Sequence, residues 1–193
     1  GKIDNWNQLN TEYPDQPLTL FGAGTDSGTY DYFTFAVIGE EGASRGDFTA
    51  TEDDNITIQG VSTDPDAIGF LGLAYVEENR GRVKPLEISY NGGDCVEPST
   101  ENAASGTYQP LTRPLFMYVN KAHLDEMPNV EDFAKFFFDP AHAIDLVSST
   151  GYLALPEAAF TAAEKKIAAR KTGSFFDGGS KVGVTPDDLL AAN

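Results

Sequence analysis

The sequence predicts an α/β fold, and three observations predict it. Short apolar runs of strand length alternate with helix-period segments over residues 17–119. From residue 130 onward the pattern is helical. The composition, 40% hydrophobic and 22% charged over 193 residues, is that of a folded chain rather than a disordered or fibrous one.

Taken in order, 17–21 (PLTLF) reads as a short strand ending at Gly22. Residues 28–39 read as a helix with Asp31 near its N-terminal turn and Phe33, Phe35, Ala36 and Ile38 as its buried set. The alternating 55–59 (NITIQ) predicts a strand, 67–70 (AIGF) a second buried strand, and 73–79 a short helix after it. Strands are also expected at 83–88 and, as the most strand-like run of all, at 115–119 (LFMYV). Helices follow at 130–138, ending before Asp139-Pro140, and at 141–147, with Gly151 just past the end. A third starts with Pro156 in its first turn and runs to about Arg170. Lys165, Lys166, Arg170 and Lys171 lie near its C-terminal end, where the helix dipole favours cations, and Gly173 closes it.

Charge divides the chain. Residues 1–112 hold 19 acidic and 5 basic residues, and 113–193 hold 11 and 8. The Gly/Ser/Thr/Asn-rich stretch 91–107 between them reads as a long loop, so the sequence predicts two domains, 1–112 and 113–193. A formal charge of -17 argues against nucleic acid and against anionic lipid as partners. No apolar run reaches the roughly 20 residues of a membrane span. One cysteine, Cys95, excludes an internal disulfide and a cysteine-cluster metal site. The first residue is Gly1 and no basic-then-apolar leader is present, so the chain is expected to be a processed protein or a piece of a longer one.

The segment that carries chemistry is 21–29, FGAGTDSGT, placed after a strand and opening a helix. Its glycines let the backbone approach a ligand and adopt positive φ. Thr25, Ser27 and Thr29 offer hydroxyls, and the free N–H groups of the helix's first turn point into the same space. Such a set suits a small tetrahedral oxyanion. The competing reading is a capped turn, with Ser27 or Asp26 as the helix cap and the glycines as punctuation. The loop is neither a Walker loop, since no Gly-Lys-Ser/Thr follows, nor a G-x-S-x-G elbow. Between Lys2 and Arg80 the one basic residue is Arg45, in the small-residue loop GASRGD at 42–47, which makes it the candidate guanidinium for an anion on the Ser27 loop.

Other features read as structural. Glu52-Asp53-Asp54-Asn55 lacks the ligand spacing of a calcium loop and is expected to be a solvated turn before a strand. His123 and His142 are isolated, Ser27 has no evident His–Asp pair, and Cys95 has nothing beside it to activate a thiol. No cofactor is called for, and the chain is not expected to be an enzyme.

The chain resembles the substrate-binding proteins of the high-affinity phosphate ABC transporter. The resemblance is carried by GKIDNWN at 1–7, GAGTDSGTYDYF at 22–33, SRGDFTATEDDN at 44–55, IQGVS at 58–62, AIGFLGLAYVEEN at 67–79, RPLFMYV at 113–119 and GYLALP at 151–156. It implies a periplasmic-binding-protein-like fold of type II, an extracytoplasmic location, and inorganic phosphate held in an inter-lobe cleft for delivery to ABC transporter permease subunits. It also implies that 1–112 is most of the second lobe, that 113–119 is a strand crossing back, and that the remaining helices belong to the first lobe. Thr25, Asp26, Ser27, Gly28 and Thr29 match the phosphate loop; Ser27 and Thr29 would donate through hydroxyls, Gly28 and Thr29 through backbone N–H groups. Arg45 resembles the arginine that one branch supplies after the helix, where Ala23 and Gly24 stand in place of an earlier one. The family's N-terminal part, with its proton-accepting carboxylate, is not in this sequence; Asp26 and Asp47 are the nearest substitutes. The expectation is a fragment with impaired binding, completed by a separate N-terminal segment. The alternatives are a phosphate-ester hydrolase and a non-transport surface interaction protein on the same fold.

Overall fold

In a computed structural model the described residues are 1–176 and 178–191. The chain divides into two compact units, Gly1–Glu87 and Ile88–Asn193. The division falls ahead of the boundary that charge and loop composition suggest, and 88–112 groups with the C-terminal helices.

The first unit is built on three parallel strands in the order β2-β1-β3, with β1 (Thr19–Ala23) central, β2 (Thr49–Thr51) on one side and β3 (Ala67–Phe70) on the other. Helix α1 (Gly28–Ile38) connects β1 to β2, and α2 (Asp54–Thr63) carries the chain back across β1 to β3. Crossovers of one hand in opposite directions place two helices on opposite faces of a sheet. The side chains agree. On one face a Cβ added to Gly60 of α2 would overlap the Phe21 ring, and one on Gly69 would press on Thr57 and Val61. On the other face Phe70 covers Gly22 and stacks on Phe33 of α1, with centroids 4.0 Å apart and planes within 1°. Gly22 and Gly60 are therefore the places where an aromatic ring comes too close for a side chain, and Gly69 is a tight one. Helix α3 (Leu73–Glu78) packs on α2, and a 3-10 turn at Trp6–Gln8 is tied in by Trp6 Nε1 donating to Asp66 O at 2.8 Å.

The strand expected at 55–59 is instead the heart of α2. Asp53 caps it, accepting from Asn55 N at 2.9 Å. Helical rotation buries Thr57 and Ile58 against the sheet and turns Ile56 to solvent, whereas a strand would have placed both isoleucines on one side. In α1 the expected burial also shifts. Tyr30, Tyr32 and Thr34 are buried and Ile38 is exposed. Thr34 is buried because its hydroxyl donates to Tyr30 O at 2.9 Å and accepts from Gly42 N at 2.9 Å, pinning the next loop to the helix.

The second unit is mostly helical. A small antiparallel pair, β4 (Ile88–Ser89) and β5 (Cys95–Val96), precedes α4 (Thr100–Ala104). Then come α5 (Lys121–Glu126), α6 (Pro128–Phe138), α7 (Pro140–Ser149), α8 (Glu157–Ala168) and α9 (Pro186–Ala191). Asn120 caps α5, Asp139 caps α7, and Pro128 and Pro140 occupy first turns, where a missing N–H costs nothing. Pro156 is the cap residue of α8 rather than its first turn. Helix α6 packs on α5 and α8, and α7 on α8, around Leu124, Ala134, Ala143, Ala159 and Phe160. Of 83–88 only Ile88 is in a strand, and 115–119 is extended chain without a strand partner. Leu115, Phe116 and Tyr118 are exposed there, because among the described residues no strand lies alongside to make the ladder.

Candidate anion-binding site

The 24–29 loop leaves the C-terminal end of the central strand. Gly24 N donates to Thr51 O at 3.0 Å, which carries the β1–β2 pairing one step past the strands. Ser27 N then donates to Gly24 O at 3.0 Å and closes a turn. Ser27 has extended backbone angles, and its Oγ accepts from Thr29 N at 3.1 Å. Ser27 is thus the cap of α1, and Asp26 is not. Gly22, Gly24 and Gly28 all keep negative φ, so their role is room rather than left-handed geometry. At Gly24 the room is taken by Glu52: a Cβ there would overlap its carboxylate oxygen.

Capping consumes one donor and leaves others. Among the described residues, the N–H groups of Gly28 and Tyr30 and the hydroxyls of Thr25 and Thr29 have no acceptor in the chain. They sit at the positive end of an 11-residue helix. Helices α1 and α2 follow adjacent parallel strands onto opposite faces, so the crevice beyond β1 and β2 is a topological switch point, where open α/β sheets bind ligands. The loop at 24–29 and the Glu52 turn form its two lips. A small oxyanion fits this donor set.

Arg45 and Asp47 lie elsewhere in contact terms. Arg45 donates from Nε and Nη2 to the two Asp47 oxygens at 2.6 and 2.7 Å, and from Nη1 to Ile3 O at 2.7 Å. Asp47 also accepts from the Gly1 ammonium. The Arg45 guanidinium beside Asp47 holds that carboxyl far below the usual carboxylate range, and the pairing raises Arg45 in turn. The structure therefore brings Thr25, Asp26, Ser27, Gly28 and Thr29 together and joins Arg45 to Asp47; the hydrogen bonds of Arg45 do not reach 25–29. Of the five guanidinium N–H donors three are used and two are left. The loop itself is anchored to α1: Tyr30 Oη donates to Gly42 O at 2.9 Å and lies 2.8 Å from Ser44 Oγ.

The surroundings are acidic. Burial, then the charges of Asp53 and Glu52, push the Asp54 carboxyl up. The place of Glu52 beside Gly24 was not expected, because 55–59 read as a strand and the acidic run as a solvated turn. The signal was present in Asp53-x-Asn55, a cap pattern that opens a helix and puts residue 52 at the end of a strand.

The remaining candidates are structural. His142 Nε2 lies 2.7 Å from Phe136 O, and its ring stacks on Phe136. Cys95 is an exposed free thiol. Among the described residues, no group of three or more His, Cys, Asp or Glu is arranged to hold a metal ion, and no helix is long and apolar enough to cross a membrane.

Comparison with known proteins places the chain in context. The family pattern described as PBP superfamily domain matches residues 1–141. Protein SphX of Synechococcus elongatus is 44% identical over 191 residues, 99% of this chain and 56% of SphX. The phosphate-binding protein PstS of Staphylococcus saprophyticus is 28% identical over 169 residues, 86% of this chain and 50% of PstS. A solved structure described as a possible phosphate binding protein from Planctomyces limnophilus is 38% identical, with a TM-score of 0.72 over 89% of this chain and 60% of that one. The chain thus spans about half the length of the curated relatives it matches.

Proposed function

Because the chain belongs to the PBP superfamily, we propose that it is the anion-holding part of a non-enzymatic substrate-binding protein whose ligand is inorganic phosphate. The observation that carries this reading is the donor set at 25–30, gathered at the switch point of a parallel sheet. The relatives support phosphate as the ligand: a PstS protein and the Planctomyces neighbour are both described as binding phosphate, the latter as a possible binder.

In this reading Gly28 and Tyr30 offer the anion backbone N–H groups and Thr25 and Thr29 hydroxyls, while Ser27 holds the helix end in place by accepting from Thr29 N. Arg45 reaches the anion with its two remaining N–H donors, and Asp47 keeps the guanidinium oriented. Asp26 borders the site. The acidic surface slows the encounter but does not forbid it, because salt screens beyond about 8 Å and the local donors decide affinity.

Residues 1–112 would be the anion-binding lobe and 113–193 the return to the other lobe. A further segment, of the kind that occupies the rest of the longer relatives, would supply the second wall of the site and the strands that 115–119 lacks. The complete receptor would work outside the cytoplasm and hand phosphate to ABC transporter permease subunits. This chain alone would bind weakly.

Equilibrium dialysis of labelled phosphate against this chain and Arg45→Ala tests the reading. Weak binding that falls about tenfold in the variant, the effect of losing a charge-assisted pair, is the expected result. Undiminished binding in Arg45→Ala would remove Arg45 from the site. Turnover of a phosphate ester would replace the receptor reading with a hydrolase.

A further inference from the structure

We propose that the cavity on the β4–β5 hairpin is a second ligand site, which takes a neutral small molecule presenting an amide edge, an N–H beside a C=O, on an apolar body. The site lies wholly within the Ile88–Asn193 unit and stands independently of the anion-site reading.

The hairpin turns at 90–93. Asn91 and Gly92 both take positive φ, 53° and 76°, as a tight hairpin turn demands, and Gly93 N donates to Tyr90 O at 3.0 Å. Ile88 pairs with Val96, and Ser89 with Cys95. Alternation then puts Ile88, Tyr90, Asp94 and Val96 on one side of the hairpin. That side, with Thr107 and Gln109, lines a cavity of about 360 Å³, within the roughly 300–1,000 Å³ of small-molecule sites. The backbone beside Gln109 is tied down: Tyr108 N donates to Asn102 O at 2.9 Å, and Thr112 Oγ1 to Tyr108 O at 2.8 Å. Yet Oε1 and Nε2 of Gln109 are both buried with no hydrogen-bond partner among the described residues. Most buried polar groups in folded chains are paired, and an unmatched carboxamide costs free energy at both atoms. The neighbouring hydroxyl has a partner already, since Thr107 Oγ1 lies 2.8 Å from Ser105 Oγ.

The unmatched pair sets the ligand class. A carboxamide shows an acceptor and a donor side by side. An amide edge on a ligand meets both at once, its C=O accepting from Nε2 and its N–H donating to Oε1. A carboxylate has no proton for Oε1 and would also face the Asp94 carboxylate; an ammonium has no acceptor for Nε2. Ile88, Val96 and the Tyr90 ring give the body of the ligand an apolar wall. Because the carboxamide is covered, the ligand reaches it by a turn of the Gln109 side chain about its own bonds, with the tied backbone unchanged.

The test is an NMR titration of this chain with benzamide and, separately, with acetophenone, which has the same shape but a methyl in place of the NH2. The signals read are the Gln109 side-chain NH2 and the backbone amides of 93–96 and 107–109. Benzamide should shift them, and acetophenone should need at least about tenfold more, because it leaves Oε1 unmatched. In Gln109→Leu the two probes should come within about threefold of each other, with the Trp6 indole signal unmoved. The comparison in the unaltered chain stands whether or not the variant folds. Equal titration by the two probes, or a preference that survives Gln109→Leu, overturns the reading of the amide edge. If benzamide moves none of these signals, the site as a whole falls and the cavity holds water only. Either result leaves the anion site of the other unit untouched.

Discussion

The two units bury different things. In Gly1–Glu87 a sheet is covered on both faces, and its aromatic residues do the covering: Phe21 lies under Gly60, and Phe70 lies between Gly22 and Phe33. In the helical unit the buried positions are mainly alanines, at 134, 143 and 159, while Phe133, Phe136, Phe137, Leu146 and Tyr152 are exposed. Alanine lets helices approach closely but supplies little apolar area. The first unit builds its core around a sheet; the second packs helices on small residues.

The largest effect should come from the sheet unit. Ile58 is 1% exposed, and Ile58→Ala should remove about 3 kcal/mol through lost burial and the cavity left behind. Phe133→Ser, at a position 58% exposed, should stay within about 0.5 kcal/mol. Urea melts followed separately by Trp6 fluorescence and by helical circular dichroism would measure the two. Equal losses would mean that the second unit's aromatics already form a core, and the contrast between the units would be gone.

Two smaller changes sharpen the account of the first unit. Ser27→Ala removes the cap of α1 and should lower stability by about 1 kcal/mol, while freeing Thr29 N. Thr57→Val acts in the other direction. Thr57 Oγ1 is buried without a hydrogen-bond partner, so replacing the hydroxyl with a methyl should raise stability by about 1 kcal/mol. A loss in Thr57→Val would show that the hydroxyl has a partner, such as a bound water.

Much of the local structure at the candidate site was legible because its signals are local. A strand, a glycine-spaced loop, a serine cap and a helix start all lie within 19–38, and short-range rules place each of them. What was not legible depends on partners distant in sequence. Ile56 and Ile58 alternate as a strand does, yet the cap at Asp53 and the sheet beneath Thr57 make that segment helical. The LFMYV run at 115–119 has every intrinsic preference of a strand, and preference cannot form a ladder without a neighbour. Phe33 was expected to be buried and is half-buried against Phe70, whereas Tyr30 and Thr34 are buried with hydrogen bonds to Gly42 and Ser44 that no hydrophobic period announces. Glu52 belongs to the same class: its place beside Gly24 follows from β2 lying alongside β1, which only topology reveals.

The smallest expected effect concerns acid. In the helical unit Arg170 donates to Asp125 at 2.8 Å and to Leu124 O at 3.0 Å, and pairs with Glu131 at 3.2 Å, so it links α5 to α6. Lys135 and then Arg170 hold the Glu131 carboxyl below its usual range. In the sheet unit Asp47 is lowered in the same way by Arg45, but that pair joins a loop to the N-terminal segment rather than two helices. A carboxyl whose folded value is depressed contributes its stabilisation above the ordinary unfolded value, and loses it as pH falls through the lower folded one. Both units should therefore loosen below about pH 4, and only slightly, because exposed pairs are screened by solvent. The difference lies in what loosens. Amide exchange should rise in α5 and α6 as acid releases the Arg170 link, whereas acid at Asp47 should free the 42–47 loop and leave the sheet protected. Arg170→Gln should give α5 and α6 the faster exchange already at neutral pH and flatten its dependence on acid. If exchange in α5 and α6 keeps the same pH profile in that variant, the link between the helices comes from their packed side chains alone, and the second unit is better consolidated than its exposed aromatics suggest.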